Sequence, residues 1–409
     1  MLKEGASVDI REIPAIIGGD QESRHGVVLA KSIPAKRYGI STGEPVASAL
    51  KKCPNLFMVP PEHSYYETQS QAFIAILQQY TPDIEQVSID ECYLDFTPIA
   101  GSFTNADGSI MKPQAAARIL ADRIYTELGF TVNIGVSCNK LLAKMASDFQ
   151  KPNRVHTLFP EEIQEKMWPL PVGELFMVGG SSVQGLHNLG IRTIGELAQT
   201  PVEILEAHFK SHGRGMWEFA NGIDDAVVQS QDEEMKCVGN STTLPKDATT
   251  YEEAKQVLGQ LAEKVAERLR RYGKKAGMVS VEIKYFDFVK VSHQTTLSKP
   301  TDVSRQLYET SCLLFQKLWN GNPVRLLGIR TAKLTEPDAP SQLSIFDVLE
   351  KAPEQKQGKK PNLTKQRQLE VALDAIRSKY GKDVVKRASM TEKLTEQKTE
   401  KGFHGYGKE

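Results

Sequence analysis

Two acids, Asp90 and Glu91, stand side by side inside the run EQVSIDECYLDFT at residues 85–97. Their neighbours Val87, Ile89, Cys92, Leu94 and Phe96 read as a strand-forming series expected inside a sheet. Burying an ionised carboxylate is costly unless a cation or hydrogen bonds compensate it. On a regular strand adjacent side chains point to opposite faces, so the pair converges only where that alternation breaks, as at a tight hairpin turn. Converging carboxylates at a sheet edge suit magnesium, which is held by one or two carboxylates together with waters and substrate phosphates. Two such ions about 3.5–4 Å apart stabilise the entering and leaving oxygens of a phosphoryl transfer. The bland alternative is a solvated acidic turn.

The elements around the pair are those of a layer that could hold it. EQVSI and CYLDF form a candidate hairpin. YYETQSQAFIAILQQY before it, QAAARILADRIYTELGF after it and NKLLAKMASDF further on carry helical stripes, and TVNIGVSC reads as a buried strand. This order predicts an α+β layer with helices on one face of an antiparallel sheet. Upstream, IPAIIGG and HGVVLAKS alternate with turns and the short helix EPVASALKKC. From about residue 160 to 225 short helices are broken by glycine. Residues 237–335 combine long amphipathic helices with the strand GMVSVEIKYFDF, and the chain then turns to Lys, Gln and Glu, as expected of a tail. One helix stands out there, with Leu369, Leu373, Ile376 and Tyr380 aligned before Gly381.

A length of 409 residues predicts two to four domains, and 25% charged residues are ordinary for a globular chain. No apolar run is long enough to span a bilayer, and the five scattered cysteines without a CxxC pair argue against a zinc site and for the cytoplasm. The net charge of +0 hides an asymmetry. Residues 1–100 hold 8 Lys/Arg against 13 Asp/Glu, whereas residues 251–300 hold 10 against 6. An acidic first part and a basic later part suit a metal site joined to a polyanion-binding module.

SIDECYLDFT followed by TVNIGVSCNKLLAKMASDFQKPN resembles the palm of Y-family translesion DNA polymerases, and VLAKSIPAKRYGISTGEP resembles their fingers. The likeness runs over about residues 6–380 and is closest to the UmuC-like branch of Gram-positive bacteria. It implies an α+β right-hand polymerase: fingers at 1–62, a ferredoxin-like palm at 63–160, a helix-hairpin-helix thumb at 161–230, a little finger at 236–335, and a clamp-binding linker with charged tail at 336–409. It implies an error-prone polymerase of DNA repair and the SOS response, using two Mg2+ ions, primer-template DNA and deoxynucleoside triphosphates, expected as a monomer in the cytoplasm with no membrane association. Asp90 and Glu91 would be the catalytic metal ligands, and Lys151 in QKPN would hold the triphosphate.

Lys36 and Arg37 in IPAKRYG fall where the family places a triphosphate-binding base. Ile33 and Lys36 stand where many relatives have Tyr and Arg, so a point charge replaces a bidentate fork. GGSSVQGLHNLGIRTIGEL resembles a helix-hairpin-helix, whose Gly180, Gly185 and Gly190 would let backbone N–H groups approach a DNA phosphate. Arg270 and Arg271 in RLRRYGKK would track the DNA backbone. Gln342, Leu343, Ile345 and Phe346 in SQLSIFD resemble the short peptide that bacterial polymerases insert into the sliding clamp.

The family begins with a strand that carries a first metal-binding aspartate, and MLKEGASVDI resembles the segment after it. A start site placed too late is the expectation, with natural truncation as the alternative, and Asp9, Asp20 and Asp83 are poor replacements. Activity of the chain as written is therefore expected to be impaired. Two other readings compete: a non-catalytic adaptor that binds DNA and clamp, and a metal nuclease. None of the eight histidines lies near the acidic pair to serve the nuclease as a base.

Overall fold

Short apolar runs punctuated by Gly and Pro build the first folded stretch of the computed structural model, which describes residues 9–19, 26–230, 234–337, 363–381 and 384–385. β1 (Ala15–Gly18) pairs antiparallel with β2 (Val28–Lys31) and parallel with β3 (Phe57–Val59). Between β2 and β3 lie α1 (Ile33–Arg37), whose N–H of Ala35 is capped by Ser32 Oγ, and α2 (Val46–Lys52). Ile16, Val28, Ile40 and Val46 form the core of this stretch. By its contacts the chain divides into two units, residues 1–12 with 60–233, and residues 13–59 with 234–409.

In the first unit, α3 (His63–Gln78) leads to the hairpin of β4 (Ile84–Gln86) and β5 (Cys92–Leu94). α4 (Pro113–Leu128) follows and stops at Gly129, whose φ of 73° is left-handed. Ile76, Leu77, Ile84 and Ile124 tie α3, the hairpin and α4 together. β6 (Ile134–Val136), α5 (Lys140–Asp148) and β7 (Val155–Thr157) complete the layer. A single antiparallel sheet is not what forms. β4–β5 and β6–β7 are separate ladders, and β6 pairs with β7 in parallel, because α5 carries the chain back before β7 begins. No described strand pairs with the outer edge of β5 or of β6. β6, expected as a buried strand, is consequently only half-buried.

The rest of this unit is helical: α6 (Ile163–Lys166), α7 (Gly180–Asn188), α8 (Ile194–Gln199), α9 (Val202–Phe209) and α10 (Ser211–Ala220). Leu186, Ile194, Leu197 and Leu205 share a core with Leu141, Leu142 and Met145 of α5. α5 thus presents one apolar face to these helices and leaves the other for the hairpin.

In the second unit β8 (Cys237–Ala248), β9 (Lys275–Tyr285), β10 (Lys290–Thr301) and β11 (Val324–Thr335) form an antiparallel sheet in the order β10-β9-β11-β8. α11 (Tyr251–Arg271), started by a Thr250/Glu253 capping box, and α12 (Ser304–Leu318) cover one face. α13 (Leu363–Tyr380) packs on this unit with reversed polarity. Its apolar residues Leu369 and Tyr380 are 60% and 62% exposed, whereas Glu370 is 3% exposed. The contact is ionic. Arg270 Nη1 donates to Glu370 Oε2 at 2.6 Å and to the Asp302 carbonyl at 2.8 Å, and its Nε donates to Asp374 Oδ2 at 2.6 Å. Glu370 also accepts the Ser304 N–H at 3.0 Å, and Arg367 pairs with Asp302 at 2.8 Å.

Candidate active site

Gln86 and Cys92 are the last paired residues of the β4–β5 ladder, so residues 87–91 form the turn and the alternation of faces breaks there. The backbone N–H groups of Val87 and Ser88 both donate to the Glu91 carbonyl, at 3.0 and 3.1 Å. Val87 and Ile89, expected in the sheet, are exposed, because the turn projects past the last ladder pair. Cys92, Leu94 and Phe96 are half-buried. Asp90 and Glu91 therefore sit at the exposed tip. The Ser88 hydroxyl donates to Asp90 Oδ1 at 2.8 Å, which gives this serine a positioning contact in the turn.

α5 supplies the opposite charge. Lys140 and Lys144 stand four residues apart, on one helix face. Lys140 Nζ reaches both Glu85 oxygens at 2.7 Å and lies 5.1 Å from the centre of the Tyr93 ring. Lys144 Nζ donates to Glu91 Oε1 at 2.6 Å and lies 3.4 Å from Asp148, which in turn pairs with Lys151 at 2.6 Å. Glu91, Lys144, Asp148 and Lys151 thus form one line of alternating charge. The far end of the helical region helps to fix it: the Gln229 N–H donates to Glu85 at 2.8 Å, and Asp224 accepts the Leu141 N–H at 2.9 Å.

Burial opposes the ionisation of Lys144, Asp148 and Glu85, and their pairs outweigh it. Burial pushes Lys144 down, but its hydrogen bond to Glu91 and the charge of Asp148 leave it above the ordinary lysine value. Burial pushes Asp148 up, but Lys151 and Lys144 hold it below the usual carboxylate range. Glu85 is likewise held down by Lys140 and the Gln229 N–H against its burial. Burial raises the Cys92 thiol to about 12, so the sulfur beside the turn is inert as a nucleophile.

Among the described residues no three His, Cys, Asp or Glu side chains gather as a metal site. The Asp90–Glu91 turn nevertheless fits an ion that takes one or two carboxylates and completes its shell with phosphate and water. Asp9 is engaged otherwise: both its oxygens accept from Arg11, and this pair holds its carboxyl at about 2. Asp20 lies outside the described residues, and the Asp83 carbonyl accepts the Asp95 N–H at the base of the hairpin.

The remaining candidates are scattered. Lys36 and Arg37 are exposed in the last turn of α1, in the second unit. Gly180 opens α7 with space around its Cα. Gly190 ends α7 with a left-handed φ of 82°. Gly185 has a packing reason instead, since a Cβ there would stand 2.7 Å from the Phe209 ring. Arg270 is a correction. Its side chain is 6% exposed and held by two acids, so it cannot belong to an exposed basic track. Arg271 is exposed and pairs with Glu267 at 2.6 Å. Gln342, Leu343, Ile345 and Phe346 lie outside the described residues.

α11 also lies on the covered face of its sheet, so its arginines are behind the surface that is open. On that open face Ser280 stands opposite Arg330, which stands opposite Gly239, and Glu282 stands opposite Gly328 and Ser292. Lys284 and Lys290 are paired at one end. This open face of small polar residues with Lys, Arg and Glu282, which pairs with Lys290 at 3.5 Å, was missed. The period-two burial of Val279, Val281, Ile283 and Tyr285 is the signal that would have exposed it.

Residues 2–148 match the model of the impB/mucB/samB family, and residues 235–345 that of the same family's C-terminal domain. The DNA polymerase IV of Clostridium acetobutylicum is 45% identical over 392 residues, covering 96% of this chain and 94% of that protein. The DNA polymerase IV 1 of Bacillus subtilis is 35% identical over 392 residues, covering 95% and 90%. Among solved structures, the Y-family DNA polymerase chimera Dbh-Dpo4(243-245)-Dbh superposes with a TM-score of 0.67 at 21% identity, covering 79% of this chain and 92% of that one.

Proposed function

The chain belongs to the impB/mucB/samB family, the Y-family DNA polymerases, and we propose that it is a template-directed translesion DNA polymerase of DNA repair with its catalytic centre at the Asp90–Glu91 turn. The observation that supports this centre is the hairpin tip itself, which presents two carboxylates to solvent while Ser88 and Lys144 fix one oxygen of each. Asp90 and Glu91 would hold magnesium, which supplies charge stabilisation to the transferring phosphoryl group and its attacking oxygen. Lys144 orients Glu91 and would yield part of that carboxylate to the ion. Lys151, tied back to α5 through Asp148, is 55% exposed and free to turn one or more N–H donors to a triphosphate. Lys36 and Arg37, exposed in the last turn of α1, are further residues we propose for triphosphate binding.

The open face of the β10-β9-β11-β8 sheet is the surface we assign to the DNA backbone. Arg330, Lys284 and Lys290 would neutralise phosphates there, and small neighbours such as Gly239, Ser241 and Ser280 permit close approach. Gly180 at the start of α7 would offer backbone N–H groups to a phosphate as well. The peptide Gln342–Phe346 would tether the chain to the sliding clamp, and we place the monomer in the cytoplasm with its DNA. No described helix is long and apolar enough to cross a membrane.

The relatives' shared polymerase identity disfavours the adaptor and nuclease readings. Primer extension in magnesium tests the proposal, with Asp90→Asn as the variant. Losing a direct ligand is expected to lower the rate by about 10²–10³-fold, the scale of one lost electrostatic stabiliser of the transition state. Primer-template affinity should stay unchanged, because other surfaces carry it. Equal extension by wild type and variant would remove Asp90 from the centre.

A further inference from the structure

α13 rests on its unit with its charged side and turns its apolar side outward. Arg270 takes Glu370 and Asp374, Arg367 meets Asp302, and Arg377 pairs with Glu263 at 3.0 Å. Leu369, Leu373, Ile376 and Tyr380 follow one another at spacings of four, three and four, which makes one continuous stripe on a helix. Leu369, Ile376 and Tyr380 are exposed, and so is Ala372 beside them. A surface helix ordinarily buries such a stripe, and a contiguous apolar patch left open marks a place where something binds.

Charge narrows the choice of occupant. Lys365 and Lys379 are exposed, and at 3.6 residues per turn they border the stripe on one side. Lys379 Nζ lies 5.2 Å from the centre of the Tyr380 ring. The acids of α13 are turned away, toward Arg270. Two copies laid stripe to stripe would set lysine against lysine in either helix orientation, so a second copy fits poorly. An apolar segment that carries acids and no base fits well. Residues 338–362, outside the described residues, join β11 to α13 in the sequence. Their large apolar residues Leu343, Ile345, Phe346, Val348 and Leu349 fall within seven positions, and residues 338–350 hold Asp338, Asp347 and Glu350 with no Lys or Arg. Thirteen residues, 350–362, separate this cluster from Leu363. An irregular chain of that length reaches roughly 20 Å, and a helix rises about 20 Å from Leu363 to Ile376.

We propose that residues 343–349 dock on this stripe of α13, with the acids around them facing its lysines. The tether holds the segment at an effective concentration in the millimolar range, so even a modest contact is populated. Residues 342–346 are also the peptide assigned above to the sliding clamp. On that reading, which the docking itself does not require, α13 and the clamp compete for the same side chains, and the helix sets how readily the clamp is engaged.

A fluorescent peptide of residues 338–352, titrated into the full chain and followed by anisotropy, tests it. A chain with Leu343→Ser/Phe346→Ser has its own segment disabled and should bind the peptide. Wild type should bind it about tenfold more weakly, because a stripe nearly filled by its own segment offers only about a tenth of itself. Adding Leu369→Ser/Ile376→Ser to the disabled chain should abolish binding. Both positions are exposed and the ionic side of α13 is untouched, so hydrogen exchange over residues 363–381 should match wild type. Equal binding by wild type and the disabled chain would show the stripe open and overturn the proposal. No binding at millimolar peptide, or binding that survives the stripe substitutions, would overturn it too. Self-association of wild type that the stripe substitutions remove would give the stripe to a second copy and equally overturn it. The clamp is read separately: Leu369→Ser/Ile376→Ser in an otherwise unaltered chain should raise clamp affinity about tenfold. An unchanged clamp affinity beside the expected peptide result would refute the competition and leave the docking in place.

Discussion

Replacing Arg270 with Gln distinguishes a buried lock from a DNA contact. The guanidinium is 6% exposed and Glu370 is 3% exposed, and a second acid, Asp374, shares the same cation. Removing one partner of a buried pair costs about 3–5 kcal/mol, because the remaining charge stays desolvated. At about 1.4 kcal/mol for each tenfold, the docking equilibrium constant of α13 should fall by roughly two to three and a half powers of ten. Hydrogen exchange over residues 363–381 measures this directly, since the helix can leave without unfolding α11 and α12, whose residues hold it. Arg271→Gln removes an exposed pair four residues apart, worth about 0.3–0.5 kcal/mol, and should leave that exchange almost unchanged. Replacing the pair with apolar residues, Arg270→Met with Glu370→Leu, should restore much of the docking. A phosphate contact would behave otherwise, lowering the salt dependence of DNA binding by about one unit of slope. If Arg270→Gln lowers that slope and leaves α13 protected, the buried lock is wrong.

Gly135 lies so close to α5 that a Cβ would stand 1.8 Å from the Ala143 carbonyl oxygen and 2.6 Å from the Ser147 nitrogen. Gly135→Ala should therefore cost more than the ~1–3 kcal/mol of ordinary overpacking, and an unchanged thermal melt would refute the packing described. For pH, the raised Lys144 keeps its contribution in full below the ordinary lysine value of 10.5 and loses it as pH climbs through the higher folded value. Asp148 and Glu85, held down, contribute above their ordinary values of 3.8 and 4.5 and lose that contribution as pH falls through the lower folded values. Thermal melts should thus plateau between these limits, and a Lys144→Met variant with an unaltered alkaline limb would contradict the assignment. Leu343→Ala with Phe346→Ala should remove two anchors of ~1.5–3 kcal/mol each from clamp binding and leave DNA affinity alone, as calorimetry of the clamp with both peptides would show.

The hairpin and its helices were legible because their signals are local: apolar periodicity, an acid pair that interrupts it, and Gly129 beyond the end of α4. The partners of the acids were legible in principle. Lys140, Lys144 and Asp148 recur every four residues opposite Leu141, Leu142 and Met145, marking a polar helix face that something charged must meet. What meets it was not readable, because Glu85 and Glu91 lie more than fifty residues earlier. RLRRYGKK misled for a related reason. A charge run is usually solvated, and only the arrival of Glu370, 100 residues later, makes Arg270 an interior residue. α13 hid its partner in the same way, since the acids and arginines between its apolar residues make the contact. The separate β4–β5 and β6–β7 ladders were hidden too, because strand pairing beyond a hairpin is set by tertiary geometry and not by the pattern of three-residue strands.

The acidic turn is also a clock in the making of the protein. Its two strands leave the ribosome long before the side chains that hold its charges in place. Lys144 follows Glu91 by 53 residues and Gln229 follows Glu85 by 144. At a synthesis rate of about 5–20 residues per second, the first gap lasts roughly 3–10 s and the second about 7–30 s. Until the first gap ends Glu91 lacks the lysine of α5, and until the second ends Glu85 lacks the backbone donor of Gln229. The nascent chain therefore cannot present this turn in its finished form until α10 and the segment after it have emerged.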